Sequence, residues 1–169
     1  MDIQTLDWAR DLKKRYITEP EYVLDVGSLN INGTFRGLFT DAKQYLGIDL
    51  QEGPDVDMVG NGNELGKILT NAYFDVVICM NTLEHDPYFW KTLAEINKVI
   101  KKDGWFFVGM PTFTFPIHNH PDDYYRFGES AFRQVILDGY EVIDLKHIFT
   151  KESDGKGINP VINVLGRKL

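Results

Sequence analysis

Hydrophobic and polar residues follow two different periods along the chain. Between residues 6 and 17, apolar side chains recur at helical spacing with charged residues between them. This pattern predicts an amphipathic helix within residues 1–18 that ends near Pro20. Farther along, seven short apolar runs predict strands, and the first of them has the unbroken apolar character of a strand buried on both faces of a parallel sheet. These runs lie at residues 21–27, 44–50, 56–60, 73–80, 105–110, 140–150 and 158–168.

Helical patterns separate most of these strands. They predict helices at 34–42, 63–72, 87–104 and 128–139, with Gly104 closing the third. Because strands and helices alternate, the sequence predicts an α/β fold: a doubly wound, mostly parallel, Rossmann-like seven-stranded sheet with helices on both faces. The last two strands have no helix between them, so we expect them to form a C-terminal antiparallel hairpin. A length of 169 residues favours a single domain over 1–169.

Composition narrows the classes of partner. The net charge of −7 and the pI near 5.0 provide no electrostatic footprint for nucleic acid or for an anionic membrane surface. No run of about 18 apolar residues predicts a membrane span, and the first residues lack the apolar core of a signal peptide. The single cysteine, Cys79, lies in an apolar strand and has no disulfide partner. We therefore expect a soluble, cytoplasmic protein, and the sequence leaves its oligomeric state open.

Small residues interrupt the chain directly after the first predicted strand, in the stretch "VLDVGSLNINGTF". Gly27 would allow a tight turn, Ser28 offers a hydroxyl, and Gly33 would let the next segment approach the sheet. In doubly wound sheets this first strand-to-helix turn is the usual ligand site. Asp49 ends the second strand 22 residues after Gly27, where a carboxylate typically binds ribose hydroxyls. The pair predicts a site for a cofactor that carries a nucleoside.

Five stretches in order resemble the motifs of class I S-adenosylmethionine-dependent methyltransferases, in particular bacterial enzymes linked to glycan or sugar modification. They are "VLDVGSLNINGTFR", "YLGIDLQEGPDVDMV", "FDVVICMNTLEH", "INKVIKKDGWFFVGMPT" and "HNHPDDYYRF", within residues 20–140. The resemblance implies S-adenosylmethionine as cofactor and a small-molecule or glycan acceptor, with a hydroxyl as the expected target. It implies cofactor contacts from Asp25, Gly27, Ser28 and Gly33 around methionine, Asp49 on the ribose, Leu50, Asn61 and Gly62 at adenine, and Met80 and Asn81 beneath the cofactor.

Two residues depart from the family pattern. Leu29 stands where the commonest form of the first motif has a second glycine, and Asn61 stands where an aspartate usually accepts a hydrogen bond from the adenine amino group. An amide oxygen can accept the same bond, so these departures predict weakened rather than abolished binding. They also leave open a protein that binds the cofactor without transferring a methyl group. A nicotinamide-dependent enzyme with the same glycine turn and acid is a further alternative.

A long loop at residues 111–128 lies where α/β folds place functional groups, and we expect it on the acceptor side. His118 and His120 are the candidate bases for a hydroxyl acceptor because imidazole titrates near neutrality. Tyr124 is a third candidate catalytic residue; alternatively it anchors the loop. A metal site formed by His118, His120, Asp122 and Asp123 is a less favoured alternative, and the sequence-based prediction includes no metal.

The segment after the fourth predicted strand ends in Glu84 and His85. In the family pattern these residues lie near the transferred methyl group. Their alternative roles are helix capping and an ordinary satisfied hydrogen bond.

Overall fold

Seven strands form one mixed sheet in the computed structural model, which describes residues 3–119, 122–151 and 158–169. The strand order is β3-β2-β1-β4-β5-β7-β6. The strands are β1 (Tyr22–Val26), β2 (Gln44–Asp49), β3 (Met58–Val59), β4 (Phe74–Met80), β5 (Ile100–Pro111), β6 (Tyr140–Lys151) and β7 (Ile158–Lys168).

The first five strands are parallel to one another, and the chain reverses direction only at the end. β1 lies between β2 and β4, so that Leu24 pairs with Leu46 on one side and with Val77 on the other. β7 pairs antiparallel with both β5 and β6. The doubly wound sheet with a C-terminal hairpin is therefore confirmed, and the carboxyl ends of β1, β2, β4 and β5 meet at one edge, where such sheets bind ligands.

Alternate side chains of each central strand enter two separate cores, one on each face of the sheet. In β4, Val77 and Cys79 face one core, whereas Val76 and Ile78 face the other. Helices cover both faces, as predicted. Helix α1 (Ile3–Tyr16) packs on the second face, while α2 (Leu65–Ile68), α3 (Phe89–Val99) and the segment that includes α4 (Glu129–Ala131) pack on the first.

The predicted helices are longer than the observed ones. Residues 34–42 form only a single 3₁₀ turn at Arg36–Leu38, and the segment after α4 continues as a π-helix over Phe132–Ile136. The prediction that the third helix reaches Gly104 is wrong. α3 ends at Val99, because Ile100 already pairs with Phe74 of β4 and the chain continues as β5.

Within the described ranges, no helix combines the length and the apolar character that crossing a membrane requires.

Candidate functional site

The turn after β1 brings the backbone close to a neighbouring loop. Gly27 has φ +79°, a left-handed conformation that side chains disfavour. A Cβ atom there would lie 2.1 Å from Oγ1 of Thr82, which follows β4. The amides of Gly27 and Ser28 both donate to the carbonyl of Ile48 at the end of β2. The predicted need for glycine at this bend therefore has two causes, the backbone conformation and the close approach of Thr82.

Asp49 lies beside this turn. Its Oδ2 accepts a hydrogen bond of 3.1 Å from the Leu29 amide, and its Oδ1 faces the Gln51 amide at 3.4 Å. The carboxylate is thus oriented by the glycine turn while it keeps acceptor capacity for a ligand diol. The Leu29 side chain extends over Gly53, where an added Cβ would lie 2.3 Å from Leu29 Cδ1.

Two more predicted residues flank the turn. Ser28 Oγ is buried and has no hydrogen-bond partner among the described residues. Gly33 has φ +113°, and its amide donates to Asn30 Oδ1 at 2.8 Å. The structure thus places Gly33 in a local turn that only glycine adopts readily, and it leaves the Ser28 hydroxyl available to a ligand.

Asp25 is a buried carboxyl group at the base of the same crevice. Tyr45 Oη donates to its Oδ2 at 2.6 Å. Burial raises the pKa of Asp25 to about 6, against the smaller opposing effects of the Tyr45 hydrogen bond and the Arg36 charge. Asp55 and Asp49 are the other charged groups that act on it, and both favour its protonation.

We expect Asp25→Asn to stabilise the ligand-free protein at neutral pH by about 1–2 kcal/mol, because a pKa shift of one unit corresponds to about 1.4 kcal/mol and the amide keeps an acceptor for Tyr45. The folded pKa is raised, so this contribution to wild-type stability is complete below the unfolded value, near 3.8, and is lost as pH rises toward 6. Urea unfolding at pH 4, 5, 6 and 7 measures it. Equal pH dependence in both proteins would contradict the assignment.

The adenine-side residues lie around the next strand ends. Leu50 has 67% of its surface exposed, so it is free to contact a ligand. Asn61 Oδ1 accepts from the Asn63 amide at 2.9 Å and caps the short 3₁₀ helix at Gly62–Glu64. A Cβ on Gly62 would lie 2.9 Å from Thr92 Oγ1, which explains its small size. Asn61 therefore has a structural role, and the second lone pair of its oxygen remains for the adenine role that the resemblance implies.

Met80 and Asn81 end β4 at the floor of the crevice. Met80 is 7% exposed and packs against Gly109 of β5. Asn81 has φ +51°, and its amide donates to the Gly109 carbonyl at 2.8 Å. A non-glycine residue held in this conformation is uncommon and is typical of functional turns.

The acceptor-side loop is attached to the turn that follows β4. The amides of Tyr124 and Tyr125 donate to the carbonyl of Glu84 at 2.8 and 3.2 Å. Arg126 forms a bidentate ion pair with Asp123, whose side chain is fully buried, and also donates to carbonyl groups of the loop. Arg126 therefore holds the loop together, whereas the sequence had left open a role in binding an acceptor anion.

Glu84 is fully buried within this arrangement, and neither carboxylate oxygen has a hydrogen-bond partner among the described residues. Burial raises its pKa to about 8. His85 Nε2 lies 3.8 Å from Glu84 Oε1, and the rings of His85 and His118 meet edge to face at 4.8 Å. Burial lowers the pKa of His118, which is therefore neutral at pH 7. One buried acid and two imidazoles thus converge beneath the loop.

The other predicted catalytic residues have different positions. Tyr124 is half exposed, its hydroxyl donates to Asp122 Oδ2 at 3.1 Å, and this bond is the main reason that its pKa is raised. This geometry gives no activation of Tyr124 as a base. His120 lies outside the described residues. Asp123 is engaged by Arg126, so it is not a free ligand for the metal site that the sequence offered as an alternative.

The fold and the crevice at its carboxyl edge define an S-adenosylmethionine-dependent methyltransferase. A sequence model described as a methyltransferase domain matches residues 24–108, half of the chain, and the protein belongs to this family. The match decides against the nicotinamide-dependent alternative. No curated protein sequence matches the chain significantly.

Solved methyltransferase structures share the fold. The 1,6-didemethyltoxoflavin-N1-methyltransferase of Burkholderia thailandensis, solved with 1,6-didemethyltoxoflavin and S-adenosylhomocysteine, has a TM-score of 0.74 at 19% identity, over 99% of this chain and 81% of that one. The YcgJ protein of Bacillus subtilis has a TM-score of 0.69 at 13% identity over 99% of both chains. A methyltransferase of Archaeoglobus fulgidus has a TM-score of 0.65 at 17% identity, over 96% and 94%.

Proposed function

We propose that this methyltransferase transfers the methyl group of S-adenosylmethionine to a hydroxyl of a small-molecule or glycan acceptor that binds beneath the 111–128 loop. One observation carries the proposal: a single turn after β4 contacts both halves of the site. Thr82 packs against Gly27 of the cofactor turn, and the Glu84 carbonyl holds the amides of Tyr124 and Tyr125 in the acceptor loop. The donor and acceptor of the reaction would thus meet over residues 81–85.

The proposed chemistry needs alignment and a place for one proton. Methyl transfer from a sulfonium is an in-line displacement with a good leaving group, so positioning supplies most of the acceleration. A hydroxyl acceptor must also lose its proton. His118 is neutral, and its Nδ1 lies 3.3 Å from both the Pro116 carbonyl and the Asp123 carboxylate, which orient the ring. Its imidazole is therefore the residue that we assign as the proton acceptor in this proposal.

The nature of the acceptor is supported by the surface of the loop and by the resemblance to glycan-modifying enzymes. Phe113 and Ile117 expose 72% and 78% of their surfaces, so the loop presents apolar contacts beside its polar groups. The Burkholderia enzyme acts on a small molecule, which agrees with this scale of acceptor. We include a cytoplasmic location in the proposal because Cys79, the single cysteine, is a buried free thiol.

Replacing Asp49 by asparagine is expected to weaken S-adenosylhomocysteine binding roughly 10- to 100-fold, because hydrogen bonds to a charged group contribute about 1.5–3 kcal/mol. Calorimetric titration measures the affinity. Asp7→Asn is the matched control, since Asp7 lies on the exposed face of α1 and pairs with Arg10. Wild-type affinity in Asp49→Asn would overturn the ribose assignment.

A transfer assay tests the acceptor. Purified protein is incubated with radiolabelled S-adenosylmethionine and, separately, with sugars, nucleotide sugars, oligosaccharides and small phenols. Label in a hydroxyl-bearing product supports the proposal. Label found only in amines, or cofactor binding without transfer to any member of the panel, counts against it and favours the binding protein that the sequence had left as an alternative.

A further inference from the structure

Glu84, His85 and His118 form a cluster of potential metal ligands beneath the acceptor loop. One side-chain donor atom from each lies within 4.8 Å of the other two, and this is the one such group in the part of the chain that the structure describes. Glu84 carries both carboxylate oxygens fully buried without a hydrogen-bond donor. Buried carboxylates in proteins are normally paired with a cation or coordinate a metal. The cluster therefore lacks one positive charge.

The hydrogen bonds of the two histidines orient them as metal ligands. His85 Nδ1 is bonded to the Asp122 carbonyl, which accepts a proton and so fixes hydrogen on Nδ1. The Nε2 lone pair of His85 then faces Glu84 Oε1 at 3.8 Å. His118 Nδ1 likewise has the Pro116 carbonyl and the Asp123 carboxylate at 3.3 Å. Metal-binding histidines almost always donate their second ring N–H to a carbonyl or carboxylate in this manner.

We propose that Glu84, His85 and His118 bind a divalent transition-metal ion, of the zinc, manganese or cobalt class, whose remaining positions accept the acceptor hydroxyl. Two imidazoles and one carboxylate suit such ions and leave coordination sites open for water or substrate. Metal–ligand bonds of about 2.0–2.2 Å require donor atoms roughly 3 Å apart, so binding would draw the three side chains together by about 1 Å. This inference rests on the proposed function for the role of the ion, but not for its binding.

The ion would change how the hydroxyl is activated. Coordination lowers the pKa of a bound hydroxyl, whose proton leaves to solvent, and the resulting metal-bound oxygen attacks the methyl carbon. The O–C bond forms as the S–C bond breaks, and its electron pair stays on sulfur to give neutral S-adenosylhomocysteine. His118 then serves as a ligand, and no protein base is needed. The reaction uses no redox change at the metal.

The ligand set differs from the alternative that the loop sequence suggested. Asp123 is held by Arg126 and contributes to the orientation of His118. Asp122 contributes its backbone carbonyl to His85. The loop aspartates therefore support the ligands, whereas the buried acid comes from the turn after β4.

The test is a calorimetric titration of tag-free, chelator-treated protein with ZnCl₂ and with MnCl₂ alone. We expect one ion per chain, and more than about tenfold weaker binding in Glu84→Gln, His85→Asn and His118→Asn. Cobalt should give visible absorption bands that the same variants lose. His147→Asn is the matched control, because His147 is an exposed histidine beside Glu129. S-adenosylhomocysteine titration of every variant establishes that it is folded.

Each outcome separates the two proposals. Absence of one-to-one binding for all of these ions, or unchanged binding in Glu84→Gln and His118→Asn, would overturn the metal site and leave His118 as the base. Metal binding by a protein that does not bind S-adenosylhomocysteine would support the metal site while the proposed function fails. Equal loss in His147→Asn would reveal surface binding and contradict the assignment.

Discussion

Replacing Gly27 by alanine is expected to lower the free energy of unfolding by about 2–5 kcal/mol and to abolish measurable S-adenosylhomocysteine binding. Two costs combine. The backbone at φ +79° disfavours any side chain, and the new methyl group would lie within 3 Å of three Thr82 atoms, including its Cβ. Relief of that contact requires the turn after β1 to move away from the turn after β4. Urea unfolding and calorimetry measure the two effects.

Gly139 provides a matched control for this substitution. Its φ of +81° is nearly the same as that of Gly27, but an added Cβ would meet no atom within 4 Å. Gly139→Ala should therefore show the backbone cost alone, about 1–2 kcal/mol, with unchanged cofactor affinity. A Gly27→Ala/Thr82→Ala double variant should recover part of the lost stability. Equal destabilisation by the two glycine substitutions would mean that contact with Thr82 is unimportant.

Asp123→Ala should have an effect of similar size, about 3–5 kcal/mol, because it leaves the Arg126 guanidinium without its carboxylate. Asp123 is fully buried and Arg126 is 13% exposed, so solvent cannot replace the pair. The loss should be concentrated in the loop. Hydrogen exchange should accelerate at the amides of Tyr124 and Tyr125, which donate to the Glu84 carbonyl in the native state.

An exposed ion pair supplies the comparison. Glu129 and Arg133 are both nearly half exposed, and Glu129→Ala should cost less than about 1 kcal/mol. If Asp123→Ala changed stability as little as Glu129→Ala, and left the exchange of the two tyrosine amides unaltered, the loop would not depend on the buried pair.

The strands were predictable because their apolar side chains are set by burial in the sheet. β6 and β7 lie within one residue of their predicted ends. Helix lengths were not predictable in the same way. Residues 100–104 have a helical pattern with lysines near the end, yet Ile100 pairs with Phe74 and Lys101 binds Asp75. These contacts join residues 26 positions apart, so local periodicity cannot reveal them.

The cofactor half of the site was accessible from motif order, since Gly27 and Asp49 belong to a turn and a strand end that are recognisable locally. The acceptor half was not. The isolation of Glu84 depends on coverage by a loop that begins about 30 residues later, and the local signal was only its position beside His85. Arg126 was recognised as a polar loop residue, but its pairing with Asp123 could be assigned only from the folded loop.

Leu29 replaces a glycine of the common motif, and its side chain is accommodated by the absence of one at Gly53. The two positions should consequently covary among homologues: a bulky residue at the first demands glycine at the second, whereas glycine at the first releases the second from that restriction. An engineer who enlarges position 53 would push the leucine tip elsewhere and so alter the width of the cleft from a residue on its outer side.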